Sequence, residues 1–131
     1  MSYTVLNSAM SSTLLSDPEV AGLFSADADL VAMLDFEAAL AEAEAEAGVF
    51  SSRLAQQIAA ACRGFRPDMV RLDAGISRDG MAVPDLVAQL REAIGTEASK
   101  YLHFGATSQD VIDTSLTSRL QRVNQILEPR L

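Results

Sequence analysis

The stretch Tyr101-Leu102-His103-Phe104-Gly105-Ala106-Thr107-Ser108-Gln109-Asp110 gathers residue types that can do chemistry. His103 is the only histidine in 131 residues. An imidazole titrates near pH 6.5 and exchanges protons around neutrality. Gly105 lets the backbone turn sharply and approach a ligand closely. Thr107 followed by Asp110 has the spacing of a reciprocal capping box, threonine at N-cap and an acid at N3. A helix that starts there leaves backbone N–H groups unpaired and carries partial positive charge. A carboxylate or phosphate gains hydrogen bonds at such an end without a basic side chain. Thr107 and Ser108 add hydroxyls, so the stretch reads as an anion clamp with a titratable group beside it. A plainer reading stands next to it: Thr107 is only an N-cap, and His103 is a partly buried histidine bonded to backbone. Lys100 either complements an anion or is simply solvated.

Other chemistries lack their residues. There is no glycine-rich phosphate loop and no Gly-x-Ser-x-Gly elbow, and nothing in the spacing favours a Ser-His-Asp triad. One histidine and one cysteine do not supply a metal-ligand set, so no metal is expected. Cys62 has no basic company and reads as a small core residue. A formal charge of −8 repels nucleic acid and anionic membrane. It also means that an anionic substrate needs a locally electropositive pocket. No apolar run approaches the ~18 residues of a membrane span, and the N-terminus lacks the pattern of a signal peptide. The expected location is the cytoplasm.

The elements that position this stretch read as helices. Hydrophobic residues make up 49% of the chain and aromatics only 5%, which with 21 alanines favours closely packed helices over sheets. Residues 1–15 read as an irregular arm. Asp17-Pro18-Glu19 is a helix start, with Val20, Leu23 and Phe24 facing inward. Ser25 opens the next helix, with Leu30, Met33, Leu34 and Leu40 recurring at three and four residues and Phe36 or Glu37 alternating between faces. Its Glu-Ala run, residues 42–47, reads as a solvated face beside a packed one, and Gly48 ends it. Ser51 or Ser52 caps a third helix with Leu54, Ile58 and Ala61 or Cys62 inward, stopped by Gly64. Residues 67–76 form a short fourth helix weakened by Gly75, and Ser77–Gly80 a turn. Pro84 starts a fifth, with Leu86, Val87, Leu90 and Ile94, stopped by Gly95. The last helix, Ser108 to Leu127, is expected to be the longest, roughly 30 Å. Leu116, Leu120, Val123 and Leu127 line its stripe, and the shorter helices before it offer little matching length.

His103-Phe104-Gly105-Ala106-Thr107-Ser108-Gln109-Asp110-Val111-Ile112-Asp113-Thr114 resembles the first conserved region of the fumarase/aspartase superfamily, which includes argininosuccinate lyase, adenylosuccinate lyase and 3-carboxy-cis,cis-muconate cycloisomerase. The resemblance extends upstream through Leu23-Phe24-Ser25, Met33 to Ala41 and Gly48-Val49, so that it covers roughly residues 14 to 131. Adenylosuccinate lyases usually carry a second histidine in a Thr-x-His-Asp-Val segment. Met81 stands at that place here, and a thioether carries no exchangeable proton. The Pro-x-Leu-Val ending at Val87, together with Gln109, favours the cycloisomerase branch.

The resemblance implies an all-α fold: an N-terminal helical domain over residues 1–106, then residues 107–131 as the start of a truncated central helical bundle. It implies an intramolecular lyase reaction on a small tricarboxylate in protocatechuate breakdown, passing through a carbanion-like intermediate. Thr107 and Ser108 match positions that bind a substrate carboxylate, and His103 matches a position of substrate contact or acid-base help. The family's two further conserved regions, including the loop that carries the serine regarded as the base, do not occur in this chain. Family members are homotetramers whose sites combine regions from three subunits. The chain is therefore expected to be an N-terminal portion, inactive alone. Adenylosuccinate lyase or another superfamily lyase is the runner-up, and a small helical protein-interaction module is the alternative of a different class.

Overall fold

The computed structural model describes residues 16–95 and 97–131. The arm read into residues 1–15 lies outside the described residues. Among the described residues six α-helices follow one another: α1 (Pro18–Gly22), α2 (Ala26–Glu46), α3 (Ser52–Cys62), α4 (Met69–Asp79), α5 (Val83–Ile94) and α6 (Ser108–Leu127). A 3₁₀ turn, Glu97–Tyr101, links α5 to the His103 stretch, and another, Glu128–Arg130, follows α6. There is no strand among the described residues, so the fold is all-α.

The helix ends follow from local chemistry. Asp17 caps α1 by accepting from the N–H groups of Glu19 and Val20, with Pro18 just inside. Ser25 caps α2 through the N–H of Ala28. Asp68 caps α4 through Val70 and Arg71, a start the apolar pattern does not reveal. Gly80 and Gly95 take left-handed φ values of 76° and 58° at the ends of α4 and α5, where a side chain is disfavoured. The expected turn at Ser77–Gly80 is corrected: α4 runs on through Asp79, and Gly80 alone makes the stop.

The core joins all the longer helices. Ile58 and Cys62 of α3, Leu72 of α4, Leu86, Val87 and Leu90 of α5, and Val111 of α6 pack with Met33, Leu34 and Ala41 of α2. Ala98 and Leu102 bring the 3₁₀ turn into the same cluster. Phe50, in the α2–α3 connection, packs its ring 4.7 Å from that of Tyr101 at 33°. Burying each large side chain contributes about 1.5–3 kcal/mol. The loop that carries His103 is thus tied on its N-terminal side to the centre of the molecule.

Two expectations about the long helices are corrected. The last helix has a partner of its own length, since α2 spans 21 residues and α6 spans 20. The buried stripe of α6 is Val111, Ser115, Arg119 and Val123, four residues apart each time, not the leucines. Leu116, Leu120 and Leu127 stay 39–44% exposed. The stripe holds an arginine because α2 meets its charge. Arg119 Nη2 lies 2.6 Å from Asp29 Oδ1, Ser115 Oγ donates to the same oxygen at 2.7 Å, and Arg119 Nη1 donates to the Leu23 carbonyl. The first short helix contributes less than expected: Leu23 is buried, but Phe24 is exposed and lies under the Arg119 guanidinium, 5.9 Å from its ring centroid.

Candidate functional site

Three elements converge on the His103 stretch. From α5, Arg91 Nη2 donates to the Leu102 carbonyl at 3.0 Å and fixes the backbone just before the histidine. From α2, Glu37 holds the imidazole: its Oε1 lies 2.6 Å from His103 Nδ1. From the C-terminal side, α6 begins at Ser108. Between these anchors the chain makes two left-handed residues, His103 at φ 59° and Gly105 at φ 69°. Glycine accepts that conformation freely, whereas a histidine in it costs about 1 kcal/mol. The contacts to Glu37 and Arg91 offset that strain.

The histidine is therefore not bonded to backbone, as the plainer sequence reading had it, but to a carboxylate. Glu37 is 2% exposed and shares the buried face of α2 with Met33, Leu34 and Ala41. Burial is the largest influence on its carboxyl group and raises its pKa. The charge and hydrogen bond of His103, the Arg91 guanidinium and the His103 backbone N–H pull the other way. Glu44, two turns along the same helix, is raised as well, first by burial and then by the charge of Glu37. Oε2 of each glutamate is buried without a hydrogen-bond partner. A Cβ on Gly105 would lie 3.7 Å from Glu44 Oε1, an ordinary contact, so backbone conformation and not space favours glycine there.

The capping box exists as the spacing predicts. The Thr107 backbone N–H donates to Asp110 Oδ2 at 2.7 Å, the Thr107 hydroxyl lies 2.7 Å from the same oxygen, and the Asp110 N–H donates to Thr107 Oγ1 at 3.3 Å. These bonds from Thr107 hold the Asp110 carboxyl below the usual carboxylate range, with a smaller contribution from the charge of His103. Thr107 is thus already engaged. What the helix end offers an incoming anion is the first N–H groups, those of Ser108 and Gln109, which have no carbonyl one turn earlier to bond to, and the half-buried Ser108 hydroxyl.

His103, Thr107 and Ser108 accordingly lie on one short exposed segment, with Phe104 and Gly105 open to solvent between them. The sequence reading missed Glu37, although a signal was present: an acidic residue at a position of the α2 apolar stripe needs a buried partner. Lys100 is exposed in the 3₁₀ turn. A cleft of about 310 Å³ between α2 and α6, lined by Asp27, Asp35, Arg119 and Arg122 among others, shares no residue with this surface. Among the described residues no group of three or more His, Cys, Asp or Glu side chains is placed to hold a metal ion. None of the described helices is long and apolar enough to cross a membrane.

Comparison with known proteins matches residues 2–131 to the sequence profile of the lyase family. A 3-carboxy-cis,cis-muconate cycloisomerase of Pseudomonas putida is 40% identical over 117 residues, which is 87% of this chain and 28% of that protein. An adenylosuccinate lyase of Methanothermobacter thermautotrophicus is 37% identical over 117 residues, 87% of this chain and 25% of its own length. The crystal structure of 3-carboxy-cis,cis-muconate lactonizing enzyme from Pseudomonas putida superposes with a TM-score of 0.83 at 39% identity, covering 89% of this chain and 27% of that one. The chain therefore spans about a quarter of the length of the relatives it matches.

Proposed function

This chain belongs to the lyase family of the fumarase/aspartase superfamily, and from that premise we propose that it forms the N-terminal part of a 3-carboxy-cis,cis-muconate cycloisomerase. The observation that carries the reading is the capped start of α6 with His103 beside it, on a chain 40% identical to a cycloisomerase. In the proposed reaction a carboxylate oxygen of the substrate adds to a carbon–carbon double bond. The displaced π pair moves to the neighbouring carbon, which bears another carboxylate, and that carbon then takes a proton. Negative charge spreads onto the second carboxylate, so fixed donors placed around it lower the barrier. The Ser108 and Gln109 N–H groups and the Ser108 hydroxyl serve as those donors, Thr107 holds the helix end in shape, and His103 is the exchangeable proton nearby.

As part of the same proposal, residues 1–106 form an N-terminal helical domain and residues 107–131 open the central helical bundle of a homotetramer. The remaining walls of the site, and the base, come from the rest of the polypeptide and from neighbouring subunits. No metal or cofactor takes part. Adenylosuccinate lyase is the second reading, supported by the 37% identity to the archaeal enzyme. Met81 weighs against it, since no proton can be exchanged by a thioether at the place of that enzyme's histidine.

The test is substrate choice. A polypeptide of the relatives' length that contains this region is expected to lactonize 3-carboxy-cis,cis-muconate and to leave adenylosuccinate intact, while the 131-residue chain alone turns over neither. Cleavage of adenylosuccinate without lactonization would replace the first reading with the second.

A further inference from the structure

His103 is gripped at one ring nitrogen only. Nδ1 sits 2.6 Å from Glu37 Oε1, with the glutamate side chain 1% and the imidazole 15% exposed. The groups facing this pair come from every element around it. Glu37 and Glu44 lie on α2, Arg91 on α5, and Cys62 on α3, where burial and then the charge of Glu37 push the thiol up to about 12. Asp110 lies on α6 and senses the histidine's charge. Three carboxyl groups thus surround one imidazole and one guanidinium. A buried carboxylate with an orphaned oxygen is stable only beside a held proton or a cation. The ring's second nitrogen, Nε2, is left for whatever meets the partly open edge of the imidazole.

We propose that Glu37 is a positioning residue that keeps the proton on His103 Nδ1 in both charge states of the ring, so that the proton His103 exchanges with a ligand is the one on Nε2. An imidazole has two inequivalent nitrogens, and the hydrogen bond made by one decides the proton state of the other. With Nδ1–H fixed towards Glu37, the neutral ring presents a lone pair at Nε2 and the protonated ring presents an N–H there. The left-handed backbone at His103, supported by Arg91 through Leu102, is strain that this orientation requires. The inference rests on the proposed role of His103 for its link to turnover, but not for its statement about the proton.

The 131-residue chain contains one histidine, so its imidazole ¹⁵N resonances need no assignment by elimination. Long-range ¹H–¹⁵N spectra recorded from about pH 5 to 9 read which ring nitrogen carries the proton. The expected neutral form carries its proton on Nδ1. Glu37→Leu, of similar size and without an acceptor for Nδ1–H, is expected to move the neutral ring's proton to Nε2 with helix content unchanged. A neutral wild-type ring protonated at Nε2 overturns the proposal, and so does a Glu37→Leu chain that keeps the wild-type tautomer. Should Glu37→Leu fail to fold, the wild-type spectrum decides alone. In the longer polypeptide, Glu37→Gln is expected to lower kcat/KM about 10–100-fold and to shift its pH profile, with Glu37→Asp recovering part of the loss. Unchanged activity in His103→Asn would remove the role of His103 in the reaction and leave the tautomer result standing, so the two failures are distinguishable.

Discussion

Thr107 serves structure and function through the same atoms, and its substitutions separate the two. Its hydroxyl and N–H are taken up by Asp110. Thr107→Ala therefore removes the N-cap of α6 and is expected to cost about 1 kcal/mol of stability, read from chemical denaturation of the 131-residue chain. The proposed carboxylate site uses the N–H groups that this cap holds in place, so the same change is expected to cut turnover strongly in the longer polypeptide. Thr107→Ser keeps the oxygen and is expected to preserve both. Full activity in the alanine variant would detach the cap from the carboxylate site. Asp110 supplies a pH test of the same box. Its carboxyl is held below the usual range, so the stability it lends is complete above the unfolded-state pKa and is lost as pH falls through the folded one. Glu37 and Glu44 act in the opposite sense: their raised carboxyls favour the fold at lower pH and weaken it as pH rises through their folded pKa values. Asp110→Asn is expected to flatten the acid limb of stability against pH and to leave the limb set by the two glutamates unchanged, measured by thermal melts from about pH 3 to 8. Of these residues, Thr107 and Asp110 were legible because a capping box is a local spacing. Glu37 was not, because its partner lies 66 residues away and only the fold brings them together.

At the scale of elements, boundaries set by local chemistry were readable and those set by neighbours were not. Asp17-Pro18, Ser25, Gly48, Gly64 and Gly95 mark helix ends in the sequence and in the structure alike. The run of α4 past Ile76 went unrecognised because Ser77–Gly80 carries turn residues and helix propensity treats Gly75 as a weakness. Here that glycine is buried, and the Asp85 side chain of α5 occupies the space where a Cβ would stand. A Cβ built on Gly75 falls 2.6 Å from Asp85 Cβ, an atom next to the backbone that does not swing aside. Asp85 is itself held by Gln89, whose amide also accepts from Asp68 N–H at 2.7 Å and so ties the start of α4 to α5. Alanine gains about 1 kcal/mol over glycine as a helix former but overpacks this contact by about 1–3 kcal/mol. Gly75→Ala is accordingly expected to be net destabilising, as measured by urea denaturation. A gain in stability would show that α4 and α5 can move apart at no cost. The α6 stripe was misread for a related reason. Apolar periodicity counts leucines, whereas burial of Arg119 depends on Asp29 and the Leu23 carbonyl, groups that only the α2–α6 packing supplies.

For the whole molecule, the leucines that the periodicity singled out carry a different consequence. Leu116, Leu120 and Leu127 are exposed on the side of α6 away from its buried stripe, in a chain that spans about a quarter of the length of its relatives. Under the proposed reading, the occupant of this face is the remainder of the helical bundle in the same family fold. The first half of α6 also supports the core described here, through Val111 and the half-buried Ile112, so the helix would serve two packing layers at once. The consequence is a contrast between two lengths of polypeptide. In the 131-residue chain, Leu116→Gln with Leu120→Gln removes no internal contact that the core depends on. Its unfolding free energy is expected to stay within about 0.5 kcal/mol of the parent, and any concentration-dependent association seen by sedimentation should diminish. In a polypeptide of the relatives' length the same pair becomes a burial of two amides against apolar neighbours. Each would cost about 1–3 kcal/mol when unpaired, enough to prevent assembly of the bundle and the tetramer. Equal tolerance at both lengths would mean that this face of α6 stays open to solvent, and residues 107–131 would then not be the opening helix of a central bundle.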